Sequence, residues 1–261
     1  MLQVTSTQLN TWLAMFMFPL ARIVGLLAMA PVFNNTGLPN RLRLVTGLVI
    51  ALALAPALPA MPAVSLGSWA GLMVLAQELV TGVALGLTLR IVFSAIDIAG
   101  ELIGMQMGLS FARFYDPLGS GQTPVITRFM TLLALLIFLS MNGHLLTLKA
   151  LAESFTLLPV ATHFSTAGIQ AMLTWAGTLF SAGTLLSLPI VTALLIANLA
   201  LGVLSRVAPS LNIFSIGFAF TLFAGFIVLT LLLPYFGDAM GGLYEKGFSA
   251  LGVVVRAAAR Q

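Results

Sequence analysis

Residues 78–108 read ELVTGVALGLTLRIVFSAIDIAGELIGMQMG, an apolar stretch interrupted at regular intervals by charged residues and glycines. At steps of four or three, the interrupting residues are Glu78, Gly82, Gly86, Arg90, Ser94, Asp97, Glu101, Gly104 and Gly108. At about 100° per residue, this spacing predicts an α-helix that carries them on one broad face. Ionisable groups are costly in hydrocarbon, and glycines four residues apart let another backbone approach closely. We therefore expect this face to pack against protein or to line a passage, and not to contact lipid.

Two kinds of residue in this stretch are candidates for specific roles. Gly82 and Gly86 form one run for helix packing, and a second G-x-x-x-G-x-x-x-G run comprises Gly100, Gly104 and Gly108. A buried charge network is predicted from Glu78, Arg90, Asp97 and Glu101. Asp97 and Glu101 lie four residues apart. A structural ion-pair network is one interpretation of them, and a proton relay or general acid–base pair is the other.

A polar segment follows the helix. Residues 115–124 read YDPLGSGQTP and contain the chain-breaking residues Asp116, Pro117, Gly119, Gly121 and Pro124. Aromatic side chains precede the breakers at Phe111, Phe114 and Tyr115. A loop with such an aromatic root can close a pore, and an ordinary connecting loop is the alternative interpretation.

Composition identifies the class of protein. The 261 residues are 60% hydrophobic and only 7% charged, and the mean hydropathy is +1.10. Because a soluble domain carries about 25% charged residues, the sequence predicts an integral membrane protein. The chain has no cysteine, which excludes disulfides and thiolate nucleophiles. The net charge of +4 rests on few scattered groups, so nucleic-acid binding is not indicated.

Hydropathy predicts an all-α fold: a polytopic integral membrane protein with about six long apolar helices arranged as helical hairpins. The predicted spans are 9–31, 44–64, 69–93, 125–148, 178–204 and 213–235. Residues 94–115 either extend the third span or form a separate amphipathic helix. A more polar connection at 149–177 separates the four N-terminal spans, within 1–148, from a C-terminal pair within 178–261.

No feature of the sequence indicates catalysis. There is no H-E-x-x-H, G-x-S-x-G or P-loop motif, and neither His144 nor His163 has partners at metal-ligand spacing. We therefore predict a protein that is not an enzyme and that holds no cofactor or metal.

Residues 206–217, RVAPSLNIFSIG, carry the strongest family signal. They closely resemble the R-x-A-P-x-L-N-I-F-x-x-G signature of the FliR family, export-gate proteins of the flagellar type III secretion system with injectisome relatives. The matching signature positions are Arg206, Pro209, Asn212, Phe214 and Gly217. The stretch around Gln106 that leads into Asp116 and Pro117, and the run Asn142-Gly143-His144, match as well.

The resemblance implies a subunit of the bacterial inner membrane, in the flagellar basal body. Members of the family assemble with FliP and FliQ into a gate, beside FlhB, through which unfolded flagellar proteins leave the cytoplasm. The resemblance also implies a FliP-like part in 1–148 and a FliQ-like hairpin in 178–261. It maps the family's plug onto about 111–124, and the charged helix before the plug onto Arg90, Asp97 and Glu101.

An alternative function from another class is a secondary transporter that uses Asp97 and Glu101 as a coupling-ion site at mid-membrane. It predicts solute uptake by the chain alone, and the sequence lacks the inverted repeats that would favour it. An intramembrane enzyme would need a nucleophile or a metal set that the sequence does not offer.

Overall fold

A computed structural model describes residues 6–33, 39–59, 62, 64–109, 124–208 and 213–259. All regular elements in these ranges are helical, which confirms the predicted all-α fold. The helices are α1 (Ser6–Met29), α2 (Asn40–Leu54), a 3-10 turn (Ala55–Ala57), α3 (Trp69–Gln106), α4 (Val125–Ser140), α5 (Gly143–Leu157), α6 (Thr166–Val207) and α7 (Ile213–Ala258).

Four of the described helices are long and apolar enough to cross a membrane, in α1, α3, α6 and α7. The pair α4 and α5, bent by 68°, would make a fifth span if it crosses as one unit. The predicted count of six is therefore not confirmed. In the predicted span 44–64, α2 ends at Leu54 and a 3-10 turn containing Pro56 follows, because proline lacks an N–H for the helix ladder. In the span 125–148, Asn142 adopts the left-handed conformation (φ 56°) and ends α4.

Residues 94–106 continue α3 without a break, so this part of the 94–115 segment extends the third span, and residues 110–115 lie outside the described ranges. The apolar windows of the long helices differ in how much of them the chain covers. In α3, 67% of the window is buried, whereas only 17% is buried in α6 and in α7. The last two helices thus present large apolar surfaces outward.

The chain packs as two compact units, and α3, α6 and α7 each contribute to both. The first unit contains Met1–Ile91, Asn142–Ala176 and Glu245–Gln261, and the second contains Val92–Met141 and Gly177–Tyr244. This division does not follow sequence order. The division into 1–148, 149–177 and 178–261 rests on the family resemblance and stays a prediction.

A single apolar cluster forms the core of the first unit, where α1 packs on the first half of α3. Its fully buried members include Phe18, Ile23, Leu26, Leu85, Leu151 and Phe155. Glycines allow the close approach of α1 and α3: a Cβ on Gly82 would meet the carbonyl oxygen of Arg22, and one on Gly86 would lie 2.7 Å from that of Leu26. Larger residues at these positions would force the helices apart.

Aromatic packing marks the core of the second unit. The rings of Phe93, Phe138 and Tyr244 lie with centroids 5.2–5.6 Å apart, two of the three pairs edge to face. The hydroxyl of Tyr244 donates a hydrogen bond to the carbonyl oxygen of Ala134 (2.6 Å), which satisfies the one polar atom of this ring. In this unit Gly183 allows a close approach of α6 to α3, since a Cβ there would lie 2.7 Å from the carbonyl oxygen of Ala95.

Candidate functional site

A fully buried ion pair lies in the first unit. Nε of Arg22, on α1, donates to a carboxylate oxygen of Glu78, on α3, at 2.7 Å, and the two side chains are 0% and 1% exposed. Glu78 is one of the predicted network residues, but its partner was not predicted. The sequence did indicate such a partner, because Arg22 lies inside the apolar span 9–31 and an arginine there is rare unless it is paired.

Arg22 also holds the C-terminal end of α5. Its two terminal nitrogens donate to the carbonyl oxygens of Ser154 and Leu158, each at 2.9 Å, and its guanidinium lies 4.2 Å from the centre of the Phe155 ring. The Ser154 carbonyl also accepts the N–H of Leu158 (2.9 Å), and the helix dipole is negative at this end of α5. One cation therefore joins α1, α3 and the end of α5 by hydrogen bonds and a cation–π contact.

The predicted stripe on α3 separates into two parts. Each four-residue step turns the helix about 40° beyond a full circle, so a long series drifts around the axis. Glu78, Gly82 and Gly86 lie on the side that packs inside the chain, whereas Arg90 and Glu101 are exposed. The four ionisable residues predicted as one buried network are thus not all buried in this chain: only Glu78 is, and Asp97 is half-buried.

In the second unit, α3 meets α4 in antiparallel register. The hydroxyl of Thr131 donates to a carboxylate oxygen of Asp97 at 2.6 Å, and a Cβ on Gly100 would lie 2.6 Å from Cα of Thr127. This register brings Glu101 level with Arg128.

Further polar residues lie beside this contact on both helices. Asp97 and Glu101 share one side of α3, and Arg128 and Thr131, three residues apart, share one side of α4. We call this surface the polar face; it comprises Ser94, Asp97, Glu101, Arg128 and Thr131. Among the residues that the structure describes, the ion pairs are Arg22–Glu78 and Lys149–Glu153, so the charges of the polar face are not directly paired.

The end of α3 is fixed by its own cap and by α7. Gly108 has φ 81°, and the N–H groups of Gly108 and Leu109 donate to the carbonyls of Met105 and Gly104, each at 3.0 Å. This pattern is a Schellman cap, so Gly108 ends the helix, where the sequence had predicted a packing glycine. Met107 is fully buried, and a Cβ on Gly225 of α7 would lie 2.6 Å from its Cγ.

Several predicted site residues fall outside the described ranges. They are Phe111, Phe114, Tyr115, Asp116, Pro117, Gly119 and Gly121 of the predicted plug, and Pro209 and Asn212 of the family signature. Of the other signature residues, Arg206 is exposed in the last turn of α6, and Gly217 lies in α7. Within the ranges described, no three His, Asp or Glu side chains come together as ligands for a metal ion.

Comparison with known proteins gives one consistent result. Residues 13–247 match the family model described as "Bacterial export proteins, family 1". The flagellar biosynthetic protein FliR of Pectobacterium carotovorum subsp. carotovorum is 42% identical over 252 residues, which are 96% of each chain. FliR of Escherichia coli (strain K12) is 41% identical over 98% of each chain, and FliR of Bacillus subtilis (strain 168) is 30% identical over 82% of this chain and 84% of its own.

Proposed function

Because this chain belongs to family 1 of the bacterial export proteins, we propose that it is a structural and gating subunit of the flagellar protein export channel. Membership makes it a component of the flagellar export apparatus in the bacterial inner membrane. The observation that carries the proposal is the extent of the match, since relatives named FliR align over 96–98% of both chains. The likeness thus covers the whole protein and not one module.

The partners belong to the same proposal. The chain assembles with FliP and FliQ, works beside FlhB, passes unfolded flagellar proteins and catalyses no reaction. The large uncovered apolar surfaces of α6 and α7 support an assembly in which neighbouring subunits and lipid cover them. Six apolar segments, arranged as hairpins, fit such an assembly if α2 and the bent pair α4 and α5 pack on partner subunits.

Native mass spectrometry of the tagged chain, co-expressed with FliP and FliQ and purified in detergent, tests the assembly. A discrete complex that contains all three proteins is expected. A monomer or homodimer of this chain, obtained while FliP and FliQ are well expressed, would contradict the proposal. It would also return attention to a transporter that uses Asp97 and Glu101, which nothing in the comparisons favours.

Gating is assigned to residues 111–124, with Phe111, Phe114 and Tyr115 as the seal and Asp116, Pro117, Gly119 and Gly121 as the turn-forming part. The anchoring of both ends of this segment supports the assignment. Before it, α3 ends in the cap at Gly108; after it, α4 begins at Val125 and contacts α3 through Thr127 and Gly100. The described ends of α3 and α4 that flank the segment thus pack against each other.

Replacing residues 115–123 by a Gly-Ser segment of equal length, and separately deleting them, tests the plug. Both changes are expected to let the assembled complex leak ions in planar bilayers, because they remove Tyr115 and the turn-forming part that the proposed seal depends on, while α3 and α4 remain. The matched control is Gly67→Ala, outside the regular helices and with open space around it. A complex that assembles normally and stays as impermeable as the unchanged protein would show that the segment is not the seal.

A further inference from the structure

We propose that the polar face, formed by Ser94, Asp97, Glu101, Arg128 and Thr131, lines the water-filled passage of the assembled gate. The proposal rests on the function proposed above and adds which surface of this chain the exported polypeptide passes. It concerns the second unit alone and does not depend on the plug.

In the second unit, packing within the chain covers one side of α3 and leaves the polar face on the less covered side. Between Val92 and Gly104, one side of the helix is covered by the chain itself, with Phe93, Ile96 and Ile103 at 5%, 0% and 0% exposure. The side that stays open carries Ser94, Asp97 and Glu101. Between Val92 and Gly104, Glu101 is the one exposed residue, and Ser94 and Asp97 are half-buried, as are Ile98 and Leu102.

Contact with lipid does not suit the polar face. Ionisable side chains in a membrane-spanning helix are costly in hydrocarbon and are found facing protein or water. The chain has other surfaces that do suit lipid or an apolar partner. These carry large exposed side chains on α6 and α7, including Leu185, Leu195, Leu199, Phe223 and Leu231. These apolar surfaces lie on other helices than the polar face, although exposed Phe129 and Leu132 also flank Arg128 on α4.

Water fits the polar face better than a dry subunit interface does. One carboxylate oxygen of Asp97 accepts a hydrogen bond from the Thr131 hydroxyl. Glu101 and Arg128 lie level, have opposite charges and are both exposed. A dry interface would have to supply a counter-charge for each ion at a fixed register, since an unpaired buried charge is strongly destabilising. In water both ions stay hydrated, and a neighbouring pair of opposite charges does not hold a passing polypeptide of either sign.

The absence of cysteine from the chain makes the test direct. Ser94→Cys is nearly isosteric and keeps every charge of the polar face. The probe is a cationic, membrane-impermeant methanethiosulfonate reagent, applied to the complex with FliP and FliQ in detergent, where both ends of a passage are open to it. Its addition is read from the mass of this subunit. Thiols react as thiolates, so a cysteine in contact with water reacts faster than one in an apolar environment.

Two further single-cysteine variants of the same cysteine-free chain serve as controls for the reaction rate. Ile96→Cys lies two residues away on the covered side of α3 (0% exposed), and Leu195→Cys lies on the open apolar surface of α6 (51% exposed). We expect Cys at position 94 to react at least about tenfold faster than either control. Arg128→Cys, on the other helix of the polar face, is expected to behave like Ser94→Cys, and it replaces that variant if Ser94→Cys does not assemble.

The charge of the surface provides a second readout. In the Ser94→Cys background, Glu101→Gln removes one negative charge about two helical turns away. The ratio of the rates with a cationic and an anionic reagent should then fall about two- to fourfold, from Coulomb attraction across roughly 10 Å of water at low salt.

Each other result overturns the inference. If the Ser94→Cys variant reacts in the isolated chain but is protected in the complex, a partner subunit covers the polar face. Slow reaction in both states would place it away from water. If no complex with FliP and FliQ forms, the proposed function fails first and this inference fails with it, so the two failures are told apart by the mass spectrum before any labelling.

Discussion

The two ends of α3 each carry a glutamate, and the two glutamates lie in opposite environments. In the first unit, Glu78 is 1% exposed and bound to Arg22 at 2.7 Å. In the second unit, 23 residues further along the same helix, Glu101 is exposed and level with an exposed arginine. The first glutamate is satisfied by its own chain, and the second depends on what surrounds the chain. Burial, more than spacing along the helix, therefore distinguishes a charged residue that stabilises the chain itself from one that is exposed to partner subunits or water.

The buried end shows how an arginine is held without water. Desolvating two ions costs several kcal/mol, and a good ion pair alone only offsets that cost. Arg22 gains further hydrogen bonds to Ser154 and Leu158 and a ring contact with Phe155. Because these partners lie on α3 and at the end of α5, the cation, itself on α1, fixes the three helices in one arrangement.

The largest expected effect is that of Glu78→Gln, which tests the buried side of the comparison. The neutral amide leaves the Arg22 charge uncompensated in the core, so the free energy of unfolding should fall by about 3–5 kcal/mol. Thermal unfolding of the isolated chain in detergent, followed by tryptophan fluorescence, measures the change. A loss under about 1 kcal/mol would show that the carbonyl oxygens and the aromatic ring alone suffice to hold Arg22.

The sequence predicted the helical class and the position of α3 because apolar runs and 3.6-residue periodicity are local properties. It did not predict that Glu78 pairs with Arg22, 56 residues away, since partners across helices depend on tertiary packing. It also treated residues 78–108 as one face. The drift of about 40° per four-residue step puts Glu78, Gly82 and Gly86 on a different side from Arg90 and Glu101. Only the packing of α1 and α4 shows which side is covered.

The same limit applies to the glycine run Gly100, Gly104 and Gly108. The pattern assigned one role to all three, and the structure gives each a different one. Gly100 permits close contact with Thr127, Gly104 has only Ile126 Cβ at 3.9 Å from an added Cβ, and Gly108 supplies the left-handed residue of a helix cap. Spacing alone cannot distinguish a contact from a cap, because both use the missing Cβ.

Two matched alanine variants on α3 should distinguish the close contact at Gly100 from the looser site at Gly104. The expected change in the free energy of unfolding is intermediate in size. Gly100→Ala places Cβ 2.6 Å from Cα of Thr127, so α3 and α4 must move apart, at a cost of about 1–3 kcal/mol. Gly104→Ala, one turn later, places Cβ in ordinary van der Waals contact, 3.9 Å from Ile126 Cβ, and should be neutral or stabilise by up to about 1 kcal/mol through its helix propensity.

Unfolding of both glycine variants is measured under the same detergent conditions. Equal stabilities would mean that the contact at Gly100 relaxes without cost. The antiparallel register that defines the polar face would then lose its support.

The smallest expected effect on the isolated chain is that of Glu101→Gln, the same substitution on the same helix as Glu78→Gln. Because Glu101 is exposed and is not in an ion pair among the described residues, its free energy of unfolding should change by less than about 0.5 kcal/mol. The yield of the complex with FliP and FliQ, measured in parallel, should stay close to that of the unchanged chain, since a hydrated amide replaces a hydrated carboxylate on the wall of a passage. A normal isolated chain that no longer assembles would instead make Glu101 a contact with a partner subunit. The contrast between the two glutamates would then change, because Glu101 would be neutralised by another protein, as Glu78 is by Arg22.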